Sequence, residues 1–242
     1  MKNKDGYNFD LKKEDIKKIF NTPDYQDYKE EKKKVTKRKE KVHKFTSIGN
    51  STNLVRNLIL INVVLFILSY FIPEMVTKFA SYNVTDPNFR IWQPLTSMFL
   101  HGNILHIVFN MIMLWSFGNQ TEEVLGTKKF LQLYIISGLV SGLLWMGLGT
   151  VAAVGASGAL CGLLAAYVFI APETKVLLFF VIPMKLKHAA YGLAGFSLVF
   201  GLLSLVNPAY GFGIGHFAHL GGLIGGYLLA RYWTERNLIR TF

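Results

Sequence analysis

Apolar residues run along this chain in long blocks, and the blocks outline its architecture before any other property is consulted. Six segments approach the length, about 20 residues, that a helix needs to cross a bilayer. They are 54–72, 103–118, 130–150, 157–171, 188–206 and 215–233. The second and fourth are short and carry polar residues near their starts. A further apolar run, 176–183, is too brief to span and reads as an interfacial or buried piece of a loop. The expected fold is an all-α membrane protein, a bundle of six transmembrane helices over 54–242.

Residues 1–53 break the pattern. They form a charged segment with no apolar h-region after the first charges, unlike a secretory signal. Lys predominates, Arg38 is the one arginine and acids are frequent, unlike a mitochondrial transit peptide. Leu11, Ile16, Ile19 and Phe20 fit a short amphipathic helix ending before Pro23, and 29–44 is highly charged. A solvated cytosolic tail that helps fix topology is the plain reading; a tether to anionic lipid is the functional one.

Composition then explains an apparent conflict. The 242 residues carry a formal charge of +11, yet 51% are hydrophobic and the mean hydropathy is +0.32. The tail holds 15 of the 26 Lys and Arg and 9 of the 15 Asp and Glu. No charged residue occurs from Phe130 to Pro172 or from His188 to Ala230. The basic excess therefore lies in a tail and at the ends of apolar segments, which excludes a nucleic-acid-binding face. One cysteine excludes a disulfide framework and a cysteine-based zinc site.

Charge also orients the bundle. With the tail inside, the inner connections and C-terminus hold Lys128, Lys129, Lys175, Lys185, Lys187, Arg231, Arg236 and Arg240, against Lys78 and Arg90 outside. That asymmetry predicts cytoplasmic termini and a multi-pass protein of the cell's inner or plasma membrane.

Polar groups inside spans are costly and point to function. Here they gather at the starts of the even-numbered spans: His101, His106 and Asn110 on the second, Gly155-Ala-Ser157-Gly158 on the fourth, His216 and His219 on the sixth. All three spans run outside to inside, so these residues share one depth. His106 and Asn110 are i,i+4 neighbours. Ser157 opens a helix, where backbone N–H groups lack partners. Gly158-x-x-x-Gly162, Gly221-x-x-x-Gly225 and Gly222-x-x-x-Gly226 are stripes that permit close backbone approach. If spans four and six pack along them, Ser157 meets His219. Imidazole suits the deprotonation of a serine near neutral pH. Helix-start N–H groups, with His106 and Asn110, could face the resulting oxyanion. No Asp or Glu occurs in these three spans, so the constellation is a dyad. An H-E-x-x-H zinc motif and a pair of membrane aspartates are both absent from the sequence.

Together His106-x-x-x-Asn110, Gly155-Ala-Ser157-Gly158 and Ala218-His219-x-x-Gly222-x-x-x-Gly226 resemble the rhomboid family of intramembrane serine proteases. The resemblance runs from about Leu54 to the C-terminus. It implies Ser157 as nucleophile and His219 as general base, and an oxyanion and substrate-binding set of His106, Asn110 and Gly155. It also implies a cavity open to the outside, and no cofactor or metal. The implied partners are the lipid bilayer and transmembrane protein substrates cut near the outer end of a helix. The connection 74–100 would be the loop that many members lay partly in the membrane. Two positions depart from the family: Cys161 stands where many members stack an aromatic on the catalytic histidine, and Trp92-Gln93 replaces Trp-Arg.

Each residue has a plainer reading. Ser157 could be a small residue at a helix contact, His219 a buried hydrogen-bonding histidine, and His106 with Asn110 a tie to a loop. His101 is expected to bind loop backbone and His216 to sit on the pocket rim. A zinc site of His101, His106, His216 and His219 would lack thiolate and carboxylate, and Cys161 as nucleophile would lie a turn deeper than Ser157. The rival function is a non-catalytic rhomboid-like scaffold binding transmembrane helices; such relatives usually lack the serine or histidine. A small-solute transporter would need an inverted repeat or a charged midplane residue.

Overall fold

A computed structural model describes residues 54–178, 182–239 and 241, with isolated positions between 22 and 33. By internal contacts the chain divides into two units, Met1–Asn50 and Ser51–Phe242. The amphipathic helix expected over 11–20 lies outside the described residues.

The larger unit is mostly helical. Its elements are α1 (Leu54–Phe71), α2 (Glu74–Phe79), α3 (Gln93–Thr96), α4 (Ile104–Met113), α5 (Asn119–Leu125), α6 (Thr127–Leu148), α7 (Ser157–Ile170), β1 (Lys175–Leu178), β2 (Ile182–Lys185), α8 (Leu186–Val206) and α9 (His216–Glu235). Three helices, α1, α6 and α8, are long and apolar enough to cross a membrane. Gln93–Phe99 and Ile104–Leu125 together qualify as a fourth, broken by a bend of 93°. The short apolar helix α7 has 14 residues.

The second apolar segment continues further than its hydrophobicity suggests. A π-helical turn, Leu114–Gly118, carries α4 into α5 without a break, so the helical run reaches Leu125. There Asn119 Nδ2 donates to the Trp115 carbonyl at 2.7 Å and Thr121 Oγ1 to that of Phe117 at 2.7 Å. These side chains engage carbonyls in the widened turn.

Burial is arranged as a membrane demands. On α1 the buried residues include Asn62 and Ser69, while Leu60, Ile61, Val64 and Ile67 are exposed. On α8, Ser197 and Ser204 are inside, and Leu198, Val199, Leu202 and Val206 are outside. Large apolar side chains lose nothing by facing acyl chains, whereas small and polar ones are useful where helices touch. The core is lined by Leu58, Leu114, Phe130, Leu133, Tyr134, Leu160, Leu163 and Trp233.

The centre is a three-helix packing of α6, α7 and α9, and glycine makes it possible. A Cβ on Gly222 would collide with the Gly158 carbonyl oxygen, and one on Gly226 with that of Gly162. The other stripe turns elsewhere: a Cβ on Gly221 would lie 2.8 Å from Ser141 Cα of α6. One face of α9 thus lies on α7 and the adjacent face on α6.

The run 176–183, expected as an interfacial or buried piece of a loop, contributes instead to a hairpin. Lys175–Leu178 pairs antiparallel with Ile182–Lys185, in register Lys175↔Lys185 and Val176↔Met184. Short, β-branched and apolar, the run favours strand over helix. Pro183, which has no N–H to donate, is tolerated because each strand of a two-stranded ribbon is an edge. At its base Glu173 pairs with Lys185 at 2.6 Å and Lys187 at 2.5 Å. Those hydrogen bonds, Lys185 first, pull the Glu173 carboxyl down to about 2.

Candidate active site

Gly155 shows how tightly the approach to Ser157 is specified. Its φ is +131°, outside the range of ordinary L residues, and a Cβ there would lie 2.7 Å from His106 Nε2. Glycine alone admits both this backbone turn and the imidazole beside it. The Gly155 N–H donates to the Ser97 carbonyl at 2.9 Å. Upstream, Ser81 and Ala153 form an antiparallel bridge through bonds of 2.8 and 2.9 Å, and Asn83 Nδ2 donates to the Gly149 carbonyl at 3.0 Å. The segment entering α7 is therefore stapled at several points to the loop between α1 and α4.

That loop has its own keystone. Gln93 is fully buried. Its Oε1 accepts from the Arg90 N–H at 2.9 Å, and its Nε2 donates to the Asn88 carbonyl at 2.8 Å and the Lys78 carbonyl at 3.4 Å. Gln93 thus anchors the loop by amide hydrogen bonds to three of its backbone groups. Pro94 then seats α3 against Gly142 of α6, where a Cβ would lie 2.7 Å away.

At the head of α7, Ser157 Oγ lies 2.9 Å from His219 Nε2 of α9, 62 residues away in sequence. Both side chains line a cavity of about 710 Å³, with Gly155, His106 and Asn110 also on its wall. On α4, Asn103 caps the helix by accepting the His106 N–H at 2.9 Å. One turn on, Asn110 Nδ2 donates to the His106 carbonyl at 3.0 Å. The Leu160 N–H bonds the Ala156 carbonyl at 3.0 Å; the N–H groups ahead of it in the first turn of α7 precede any intrahelical partner. The cavity thus brings together a hydroxyl, an imidazole and a set of hydrogen-bond donors.

Two histidines do not do what their sequence position suggests. His101 finds no loop backbone partner among the described residues: it is buried, both ring nitrogens lack a hydrogen bond, and its ring packs edge-on against His106 with centroids 5.1 Å apart. His216 is not a rim residue: it is 1% exposed, its Nε2–H donates to the Gly211 carbonyl at 3.2 Å, and its ring abuts His219. Cys161 is buried in α7. Among the described residues no three His, Cys, Asp or Glu converge as a metal site. Sequence reasoning also missed Ser97, which contributes a carbonyl, and Trp145, whose Nε1–H holds the Val151 carbonyl at 3.0 Å. Backbone acceptors of this kind carry no residue signature.

A family model, the rhomboid domain, matches residues 88–236. The chain belongs to the rhomboid family. Among its relatives is the rhomboid protease GlpG of Yersinia pestis (strain Pestoides F), 35% identical over 153 residues, 63% of this chain and 51% of that protein. The rhomboid-like protease 3 of Toxoplasma gondii is 31% identical over 157 residues, 64% and 57% respectively. The rhomboid protease GlpG of Photorhabdus laumondii is 30% identical over 189 residues, 77% and 63%. The chain spans about half the length of the first of these rhomboid relatives. Its apolar helices and rhomboid membership make it a multi-pass membrane protein.

Proposed function

We propose that this rhomboid is an intramembrane serine endopeptidase using a Ser157–His219 dyad. The observation that carries the reading is the 2.9 Å contact between Ser157 Oγ and His219 Nε2 on the wall of the 710 Å³ cavity. Ser157 O–H donates to His219 Nε2, which takes the proton as Oγ attacks the scissile carbonyl. The oxyanion is met by the Ser157 backbone N–H, His106 and Asn110, with Gly155 keeping the approach open. His219 returns the proton to the departing amine. Water entering by the cavity repeats the sequence on the acyl-enzyme, releasing the acid and restoring Ser157.

Depth supports the same reading. At about 1.5 Å per residue the 14 residues of α7 rise about 21 Å, short of the roughly 30 Å hydrocarbon layer. A helix that begins below the membrane surface puts its first residue inside the layer, and in α7 that residue, Ser157, lines the cavity. In this reading six helices span, both termini are cytoplasmic, the membrane is the cell's inner or plasma membrane, and the active face is outside. The substrates are membrane proteins cut near the outer end of a transmembrane helix, where the helix unwinds into the cavity.

The test is cleavage of a single-span substrate in liposomes by wild type, Ser157→Ala and His219→Ala, with a serine-reactive phosphonate as probe. Both variants are expected to lose cleavage, and the phosphonate to label wild type at Ser157. Undiminished cleavage by Ser157→Ala would overturn the dyad; wild type that neither cleaves nor labels would favour a helix-binding scaffold.

A further inference from the structure

A serine–histidine dyad has no carboxylate to hold its base in one orientation, a task that the third member of a triad performs. Something else must fix the His219 ring, because small misplacements of a reacting group are expensive in rate. Cys161, one turn after Ser157, brings a thiol and no ring.

We propose that His216 is the positioning residue of His219. The inference rests on the dyad reading and adds a group that does not touch the reacting atoms. His216 opens α9, one turn before His219, and the two rings stand edge to face, with centroids 6.4 Å apart and planes at 85°. Among the described residues His216 supplies the one aromatic ring packed on His219.

His216 is itself held on several sides. Phe196 and Phe200 of α8 pack on it at 5.5 and 5.9 Å, and Phe212 packs in turn on Phe200 at 5.5 Å. Its Nε2 faces the Gly211 carbonyl, which can only accept, so Nε2 carries the hydrogen. Gly211 closes the turn Pro208–Gly211 in the α8–α9 loop, and that loop also lines the cavity. Through His216 the orientation of the base is tied to α8 and to the loop over the cavity. Rotation of His219 toward His216 is opposed by a ring that is itself backed by two neighbouring phenylalanines of α8.

Two substitutions in the full chain separate the ring from its hydrogen bond. His216→Phe keeps a ring against His219 and loses the donor to Gly211. His216→Gln places an amide nitrogen where Nε2 stands and loses the ring. With the single-span substrate in liposomes, His216→Gln should lower kcat about 10–100-fold with KM unchanged, and slow phosphonate labelling of Ser157 in parallel. His216→Phe should stay close to wild type in both readouts, although it leaves the Gly211 carbonyl unpaired and should lower Tm at least as much as His216→Gln. Wild-type rates in His216→Gln would overturn the proposal. So would His216→Phe as slow as His216→Gln, or losses in both that follow the fall in Tm. A Ser157→Ala protein as active as wild type would instead overturn the dyad and leave the packing of His216 in place.

Discussion

Ser157 and His219 stand on helices whose backbones touch, at Gly158 against Gly222 and Gly162 against Gly226. Across the same cavity, Gly155 is set by loop hydrogen bonds to the Ser97 carbonyl, and His106 by the Asn103 cap. The first half of the site is specified by volume, because two helices approach that closely only where no side chain intervenes. The second is specified by backbone polar groups, which must be paired when buried. A fault in the seam should therefore damage fold and site together, whereas a fault in the loop should damage the site first.

The strongest challenge to that contrast is Gly222→Val. Its Cβ would meet the Gly158 carbonyl, a rigid backbone atom. We expect destabilisation of about 3 kcal/mol or more and no detectable cleavage, read as Tm in detergent beside turnover. A variant of unchanged Tm would break the seam as the organising contact. Gly155→Ala is next. The strain of its φ is about 1–3 kcal/mol, and the new methyl presses on His106. Cleavage should fall about 10–100-fold with a smaller change in Tm than Gly222→Val causes.

Gln93→Ala sharpens the loop side. It strands the Arg90 N–H and the Asn88 carbonyl, a cost of about 1–3 kcal/mol. Because Gln93 acts through the loop, turnover should fall by less than in Gly155→Ala, while protease nicking of 82–92 increases. Nicking that stays at the wild-type level would count against the anchor. The smallest effect is expected far from both halves, at Glu173. Its folded pKa lies below the ordinary value of 4.5, so any stabilisation from its lysine pairs is present above that value. It is lost as pH falls towards about 2. The carboxylate is exposed and solvent-screened. Glu173→Gln should therefore leave turnover at neutral pH unchanged and give a Tm that varies less than wild type between pH 5 and 3.

The readings that came from periodicity and composition concerned single segments. Long charge-free blocks mark apolar helices, and glycines four apart on 158, 162, 222 and 226 mark faces that accept a neighbouring backbone. What those readings missed has a common cause. The hairpin Lys175–Lys185 was hidden because a short apolar run serves a strand or a loop equally well. His216 looked like a rim residue because its place one turn from His219 says nothing of Phe196 and Phe200, which reach it from another helix. Gln93 stood out only as a departure from Trp-Arg, because the hydrogen bonds it makes go to backbone groups that the sequence does not mark.

By itself, then, the sequence determined that the chain is a basic-tailed protein of apolar helices, with a serine and histidines at helix starts and glycine stripes nearby. These are properties of composition and of spacing within one helix, where a fixed rise and turn make neighbours predictable. Only the tertiary structure decided which stripe meets which helix, that Ser157 and His219 lie 2.9 Å apart, and that His219 is backed by the buried imidazole of His216. Those facts depend on contacts between residues far apart in the chain and on backbone carbonyls that every residue possesses. No local pattern encodes them.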